Sequence, residues 1–344
     1  MSSDLISVIM PVYNVEKYVA ESIRSVLEQS YGNFELIVVN DCSPDKSMDI
    51  VRTFDDPRIT IIEHERNKGL AEARNSGVRA SRGAFLAFLD SDDVMLKDRL
   101  CKQKRFLDAN PHVALCGSWI RTMSEDGRIE PYDHRIMIVP DAVNASLLFM
   151  NLFTPSTVML RRTAFPEEGF RHMYAEDYDF FVRVGLKHNL SIMREVLVLY
   201  RVHSQSIMRS TSAEKKIRDR SATQDLLFEK LDVAPTVEER SAHQSIAANP
   251  GNTTLQEAEF LHGWFVRLIQ ANAQAGLFPQ DAFEKAAAYI WFFVVYRATG
   301  EGLGTVRLFL ARKLGVRHFP PAGLFVKFVA KSFLRKPFRS GVEK

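Results

Sequence analysis

Three cysteines in 344 residues, Cys42, Cys101 and Cys116, exclude two classes of protein at once. Their number is odd and their spacing fits no metal-binding pattern. Neither a disulfide framework nor a thiolate zinc site is expected, and the thiols read as reduced, in a reducing compartment. Long apolar runs are also missing. The longest, Ala286 to Tyr296, covers eleven residues, whereas a membrane-spanning helix needs about 20, so it reads as a buried helix. The opening Met1-Ser2-Ser3-Asp4 has no basic segment and leads straight into a strand pattern, which argues against a secretory signal. Glycine is sparse where it would matter most: the first apolar run exits through Tyr13-Asn14-Val15-Glu16. No glycine-rich cationic loop is there to grip a triphosphate, which disfavours a nucleotidyltransferase. Internal repeats and low-complexity segments are absent.

What is present is a chain with 46% hydrophobic and 25% charged residues, long enough for one large domain or two ordinary ones. Strand and helix patterns alternate over its first part. Ile6 to Val12 reads as a strand closed by Pro11-Val12-Tyr13-Asn14, with Asn14 placed to cap the next helix. Val19, Ile23, Val26 and Leu27 form one helical stripe. Glu35 to Asn40, Ile59 to Ile62 and Ala84 to Leu89 read as further strands, with helices after Asp45 and after Asn67-Lys68-Gly69. This order predicts an α/β fold with a mostly parallel sheet, helices on both faces and the strand-end loops along one edge. Leu100–Ala109 and the stretch opened by Ala175-Glu176-Asp177 also read as helical, Val113–Thr122 and Ser191–Val202 as extended. After about residue 212 everything reads as helix, broken near Pro235, Asn249-Pro250-Gly251 and Pro320-Pro321. The expected division is therefore 1–210 and 211–344.

Acids mark the strand ends. Asp90-Ser91-Asp92-Asp93 follows the strand Ala84–Leu89, and alternation along an extended chain points Asp90 and Asp92 to one side. Two carboxylates there can hold a hard divalent cation bridged to a diphosphate, and an acidic solvated turn is the other reading. Asp41 can accept from a uracil or thymine imide, or serve only the turn Asp41-Cys42-Ser43-Pro44-Asp45. Glu176 and Asp177 are either first-turn acids favoured by the helix dipole or a general base and its neighbour. His203, after Tyr200-Arg201-Val202, reads as a metal ligand, a phosphate contact or a satisfied core residue.

Five segments taken together go further. Pro11-Val12-Tyr13-Asn14, Asn40-Asp41-Cys42-Ser43-Pro44-Asp45, Asn67-Lys68-Gly69 with Ala73-Arg74-Asn75-Ser76-Gly77, Asp90-Ser91-Asp92-Asp93 and Ala175-Glu176-Asp177-Tyr178-Asp179 resemble, in order and spacing, the motifs of family 2 glycosyltransferases. The resemblance covers residues 5–210 and implies a GT-A fold, a nucleotide-diphosphate sugar donor such as a UDP-sugar, and Mn²⁺ or Mg²⁺. It implies hexosyl transfer with inversion; a hydroxyl of a glycan or lipid-linked acceptor, as in cell-surface polysaccharide synthesis, is the acceptor that the basic C-terminal tail would suit. By the same resemblance Asp177 is the catalytic base and Glu176 an acceptor or supporting contact. Pro11, Tyr13, Asp41, Arg74 and Asp90 would serve the donor, and Asp92 with Asp90 and His203 would hold the metal. The family's Asp-Asp-Gly-Ser reads Asn40-Asp41-Cys42-Ser43 here, which leaves the base preference open. The alternative from another class is a non-catalytic sugar-nucleotide-binding or scaffold protein at a membrane assembly; the presence of Asp90, Asp92 and Asp177 speaks against it.

Charge is unevenly spread. Residues 303–344 hold ten Lys or Arg and one acid, Glu343, so the remainder of a chain of net charge +3 is acidic. Leu324, Phe325, Phe328, Val329 and Phe333 oppose Lys327, Lys331 and Arg335 on a helical wheel. That predicts either an interfacial helix on an anionic membrane surface through 322–339 or a terminal helix packed on its own domain. The acidic body and the lack of a nucleic-acid module exclude nucleic acid as a partner. The expected location is the cytoplasm, peripheral on the inner face of the membrane.

Overall fold

The computed structural model describes residues 4–134, 138–171, 175–204, 212–248, 253–312, 314, 320 and 322–336. It forms two compact units, Met1–Met137 with Phe153–Asp219, and Ile138–Leu152 with Arg220–Lys344.

The first unit alternates as the apolar runs require: β1 (Ile6–Val12), α1 (Val19–Leu27), β2 (Phe34–Asn40), α2 (Ser47–Val51), β3 (Ile59–Glu63), α3 (Leu70–Ala80) and β4 (Phe85–Phe88). After the two-residue β5 (Val94–Met95) come α4 (Arg99–Ala109), β6 (Val113–Ser124) and β7 (Ile129–His134). A short helix, α5 (Val143–Ser146), lies in the second unit; β8 (Met159–Arg161), α6 (Glu176–Gly185) and β9 (Asn189–Val202) complete the first. The sheet runs β3-β2-β1-β4-β8-β6-β9-β5, with β7 paired to β6. The four N-terminal strands are parallel, and β8 and β5 run against their neighbours. β1 and β2 are buried along their whole length, which is why they read as unbroken apolar runs rather than alternating ones. On one face Val8, Met10 and Val12 share a core with Ile23 and Val26 of α1. On the other, α3 lies so close that a Cβ on Gly77 would stand 2.5 Å from Ile9 Cγ2.

Pro11 explains where the sheet opens. β1 pairs β2 through Val12 but pairs β4 only as far as Ile9, whose carbonyl accepts from Leu89 N. Two residues beyond Ile9, Pro11 faces the same side, and its missing N–H falls where β4 has already turned away. The crevice between the ends of β1 and β4 thus begins at a residue that cannot extend the ladder.

In the second unit the helices are α7 (Ala213–Lys230), which starts in the first unit's residues, α8 (Val237–Ala248), α9 (Leu255–Ala275), α10 (Gln280–Arg297), α11 (Gly304–Ala311) and α12 (Ala322–Phe333). A capping box, Thr254 with Glu257, starts α9, and left-handed Gly276 ends it. The eleven-residue apolar run lies in α10, buried almost all round. Residues 249–252 and Pro321, where helix breaks are expected, lie outside the described residues. His243 joins 138–152 to this unit. It donates from Nε2 to the Leu148 carbonyl at 2.8 Å, and its Nδ1 accepts from Trp264 Nε1 at 3.0 Å. Both ring nitrogens are satisfied only in the neutral tautomer, and burial pushes its pKa down to about 4.

Candidate active site

The acidic tetrad is a turn, not an extended strand end. Asp93 N donates to Asp90 O at 3.1 Å, so the expected alternation of Asp90 and Asp92 does not hold. Each carboxylate instead meets a different partner. Asp90 Oδ1 accepts from Arg74 Nη2 at 2.7 Å, and Asp92 Oδ2 lies 2.9 Å from His203 Nε2. The turn is braced from three sides. Ser22 Oγ of α1 donates to Ser91 O and Asp93 O, Asp90 N donates to Ser156 Oγ, and Arg201 of β9 reaches two of the acids. Arg201 N donates to Asp93 Oδ1 and its Nε to Asp92 O, both at 2.8 Å. Ser22, Ser156 and Arg201 carry no sequence signal of this role except the nearness of Arg201 to His203.

Arg74 is the hub. It sits on α3 at 1% exposure and donates from Nη1 to Glu176 Oε1 at 2.8 Å while holding Asp90 with Nη2. Burial opposes its charge, but Asp90 and Glu176 together outweigh that and fix it as a cation. One guanidinium fork therefore ties the end of β4 to the first turn of α6. Burial and the adjoining Asp177 push the Glu176 carboxyl up to about 7 against the pull of Arg74. Asp177, half-buried beside it, accepts at Oδ1 from Tyr178 N at 2.7 Å. Asp93 is wholly buried, and loss of water, then Asp92 and Asp90, raise its pKa well above the carboxylate range. The Tyr200 phenol is raised by burial first, then by Asp93, Asp90, Asp92 and Asp177, so four acids share one field.

Asp41 stands at the end of β2, 3% exposed, and clamps the lead-in to α3. It accepts from Lys68 N and Gly69 N, each at 2.8 Å, and lies 2.7 Å from His64 Nδ1. Gly69 has φ +86, a conformation that favours glycine at this junction. Pro11 is buried beside it in the sheet, and Tyr13 is exposed at the same strand end. Asn14 caps no helix. It is left-handed at φ 56 and its N–H donates to Ser43 Oγ, because α1 starts five residues later. Cys42, standing where the family has Gly, is also left-handed at φ 61.

Asp92 Oδ2 and His203 Nε2 offer a hard oxygen and an imidazole nitrogen side by side, a donor pair suited to Mn²⁺ or Mg²⁺. Among the described residues no group of three or more His, Cys, Asp or Glu forms a metal cage.

The comparisons agree with this architecture. Residues 7–169 match the profile of Glycosyl transferase family 2. A glycosyltransferase of Haemophilus influenzae is 34% identical over 221 residues, 63% of this chain and 80% of that one. The Escherichia coli UDP-Glc:alpha-D-GlcNAc-diphosphoundecaprenol beta-1,3-glucosyltransferase WfgD is 32% identical over 221 residues, 63% of this chain and 84% of that one. Among solved structures, residues 1–349 of S. aureus TarS in complex with UDP-GlcNAc superpose with a TM-score of 0.56 at 22% identity, covering 83% of this chain and 91% of that one. The chain belongs to glycosyl transferase family 2. It is a glycosyltransferase with a GT-A-like sheet and a helical C-terminal region.

Proposed function

We propose that the protein transfers a sugar from a UDP-sugar to a hydroxyl of a lipid-linked or glycan acceptor, with inversion, in the crevice between the ends of β1 and β4. The observation that carries this reading is the Arg74 fork, which links the β4 acid turn to the carboxylates of α6. Donor and acceptor chemistry need to meet at such a point. Two relatives are named for glucosyl transfer from UDP-Glc to GlcNAc-diphosphoundecaprenol, and TarS is solved with UDP-GlcNAc; these support the donor class and the acceptor class.

In the proposed reaction Asp177 takes the proton of the acceptor hydroxyl as its oxygen attacks the anomeric carbon. The bond from that carbon to the diphosphate breaks on the opposite face, and the electron pair leaves with the diphosphate. Arg74 holds Glu176 beside Asp177, which keeps Glu176 available to position the acceptor. Asp92 and His203, with Asp90, would hold Mn²⁺ or Mg²⁺, and a cation held there would help neutralise charge on the leaving diphosphate. Tyr13, Pro11 and Asp41 line the uracil end; Asp41 already takes three protein donors, and its remaining lone pair would meet the base. The division of labour proposed is chemistry in 1–210 and acceptor or surface contacts in 211–344.

The test is release of nucleoside diphosphate from UDP-, dTDP- and GDP-sugars, with Mn²⁺ and after chelation. Asp177→Asn should cut turnover by roughly a thousandfold and keep metal-dependent nucleotide binding in calorimetry. Asp92→Asn should weaken both. Full turnover in Asp177→Asn would remove Asp177 as the base. Nucleotide binding unaffected by chelation would remove the metal.

A further inference from the structure

The C-terminal helix does not present the face its sequence suggests. Phe325, Phe328 and Val329, read above as the apolar side of an interfacial helix, turn inward. Phe328 is fully buried, with its ring centroid 5.6 Å from Phe292 and 5.9 Å from Phe309. Lys331 lies over the Tyr296 ring at 5.2 Å. That stripe belongs to the packing of α12 on α10 and α11, which is the terminal-helix alternative.

A second apolar stripe faces out. Ala322, Val326, Ala330 and Phe333 recur at i, i+4, i+8 and i+11, and all four are exposed. Val326 is 64% exposed and Phe333 71%, and Leu334 follows at 56%. On the neighbouring α11 the outward positions are Leu310, 48% exposed, with Leu303 before it and Arg307 between them. From 302 to 336 the sequence holds eight Lys or Arg and no Asp or Glu.

We propose that the outward face of α12, with the outward side of α11, docks this protein on an anionic lipid surface. It rests on the function proposed above only in giving a lipid-linked acceptor a place to be met. Exposed Val and Phe on a stretch that itself carries no acid suit the boundary between headgroups and acyl chains, and Arg307, Lys327 and Arg335 suit lipid phosphates. A second copy of the chain is the weaker occupant, since docking face to face would set two cationic surfaces against each other. Residues 337–339, the end of the stretch 322–339 expected to meet the membrane, lie outside the described residues and add nothing here.

The experiment is sedimentation of the full chain with vesicles of phosphatidylcholine alone, and with about one third phosphatidylglycerol. The protein should pellet with the anionic vesicles, do so less at high salt, and stay largely in solution with the neutral ones. Val326→Asp with Phe333→Asp should weaken the anionic binding roughly tenfold. Both positions are solvent-exposed, so circular dichroism and thermal melting should match wild type. Phe328→Asp, on the buried stripe, should instead unfold the region. No pelleting of wild type at low salt, or pelleting unchanged in the double variant, would overturn the proposal. So would a concentration-dependent dimer in light scattering, abolished by the double variant, without vesicle binding. Donor hydrolysis in the same preparations reports on the catalytic reading separately, because neither residue lies among those of the crevice.

Discussion

Arg74 shows how much one side chain can decide. It is buried between Asp90 and Glu176, and its two terminal nitrogens serve one acid each. Lysine offers a point charge and cannot span both. Arg74→Lys should therefore fold, with one contact kept, and lose turnover by more than a hundredfold. Arg74→Ala leaves Glu176 and Asp90 without their cation and should cost about 4 kcal/mol in urea unfolding. Turnover kept in Arg74→Lys but lost in Arg74→Ala would show that the charge matters and the fork does not. His243 makes the opposite case, a titratable residue with a purely structural part. Its folded pKa, about 4, lies below the ordinary value of 6.5. The unfolded chain therefore binds its proton first as pH falls. The stability His243 contributes is present in full above pH 6.5 and lost progressively toward pH 4, about 3 kcal/mol in all. Denaturation midpoints measured between pH 7 and 4.5 should fall accordingly, and His243→Gln should start lower and show a shallower fall.

At the scale of elements the sequence reads well where the signal is local and poorly where it depends on a partner. β1, β2, β4 and α6 follow from apolar runs and helical spacing, because burial on both faces or one stripe leaves that imprint. The tetrad misleads, because a strand continued in thought is a turn in fact, held by Ser22, Ser156 and Arg201 from far along the chain. Asn14 misleads for the same reason: its left-handed turn is fixed by Ser43, not by the helix after it. Asp41 is legible as a strand-end acid but not as the clamp on α3. That clamp has a consequence for the element. Asp41→Ala leaves Lys68 N and Gly69 N without their acceptor at a part-buried junction and should cost about 2 kcal/mol. Since α3 carries Arg74, the loss should extend to donor turnover even with nucleotide in excess. If calorimetry showed weaker nucleotide binding while stability and saturated turnover stayed as in wild type, Asp41 would serve the base alone.

For the molecule as a whole, the least legible feature is the membership of 138–152. Its sequence gives weak apolar periodicity, and nothing local says that it packs with helices some eighty residues further on rather than with the strands on either side. The structure places it in the second unit through Leu148, bonded to His243, and Phe149. The Phe149 ring is fully buried, with centroids 5.3 Å from Phe265 and 6.1 Å from Phe283. It thus anchors a discontinuous segment by contacts of long sequence separation, the kind that leave no periodic trace. Removing that anchor should expose which residues fold together. Phe149→Ala deletes a buried aromatic side chain and should cost about 4 kcal/mol. If 138–152 and 220–300 form one cooperative unit, amide exchange should speed up across both, in α5, α8, α9 and α10 together. The amides of β1, β2 and β4 should keep their wild-type rates, because their core is built from Val8, Met10, Val38 and Ala87 and not from this ring. Faster exchange confined to 143–150 would mean that the segment is only an attached strap. Faster exchange through the sheet as well would mean that the two units unfold as one.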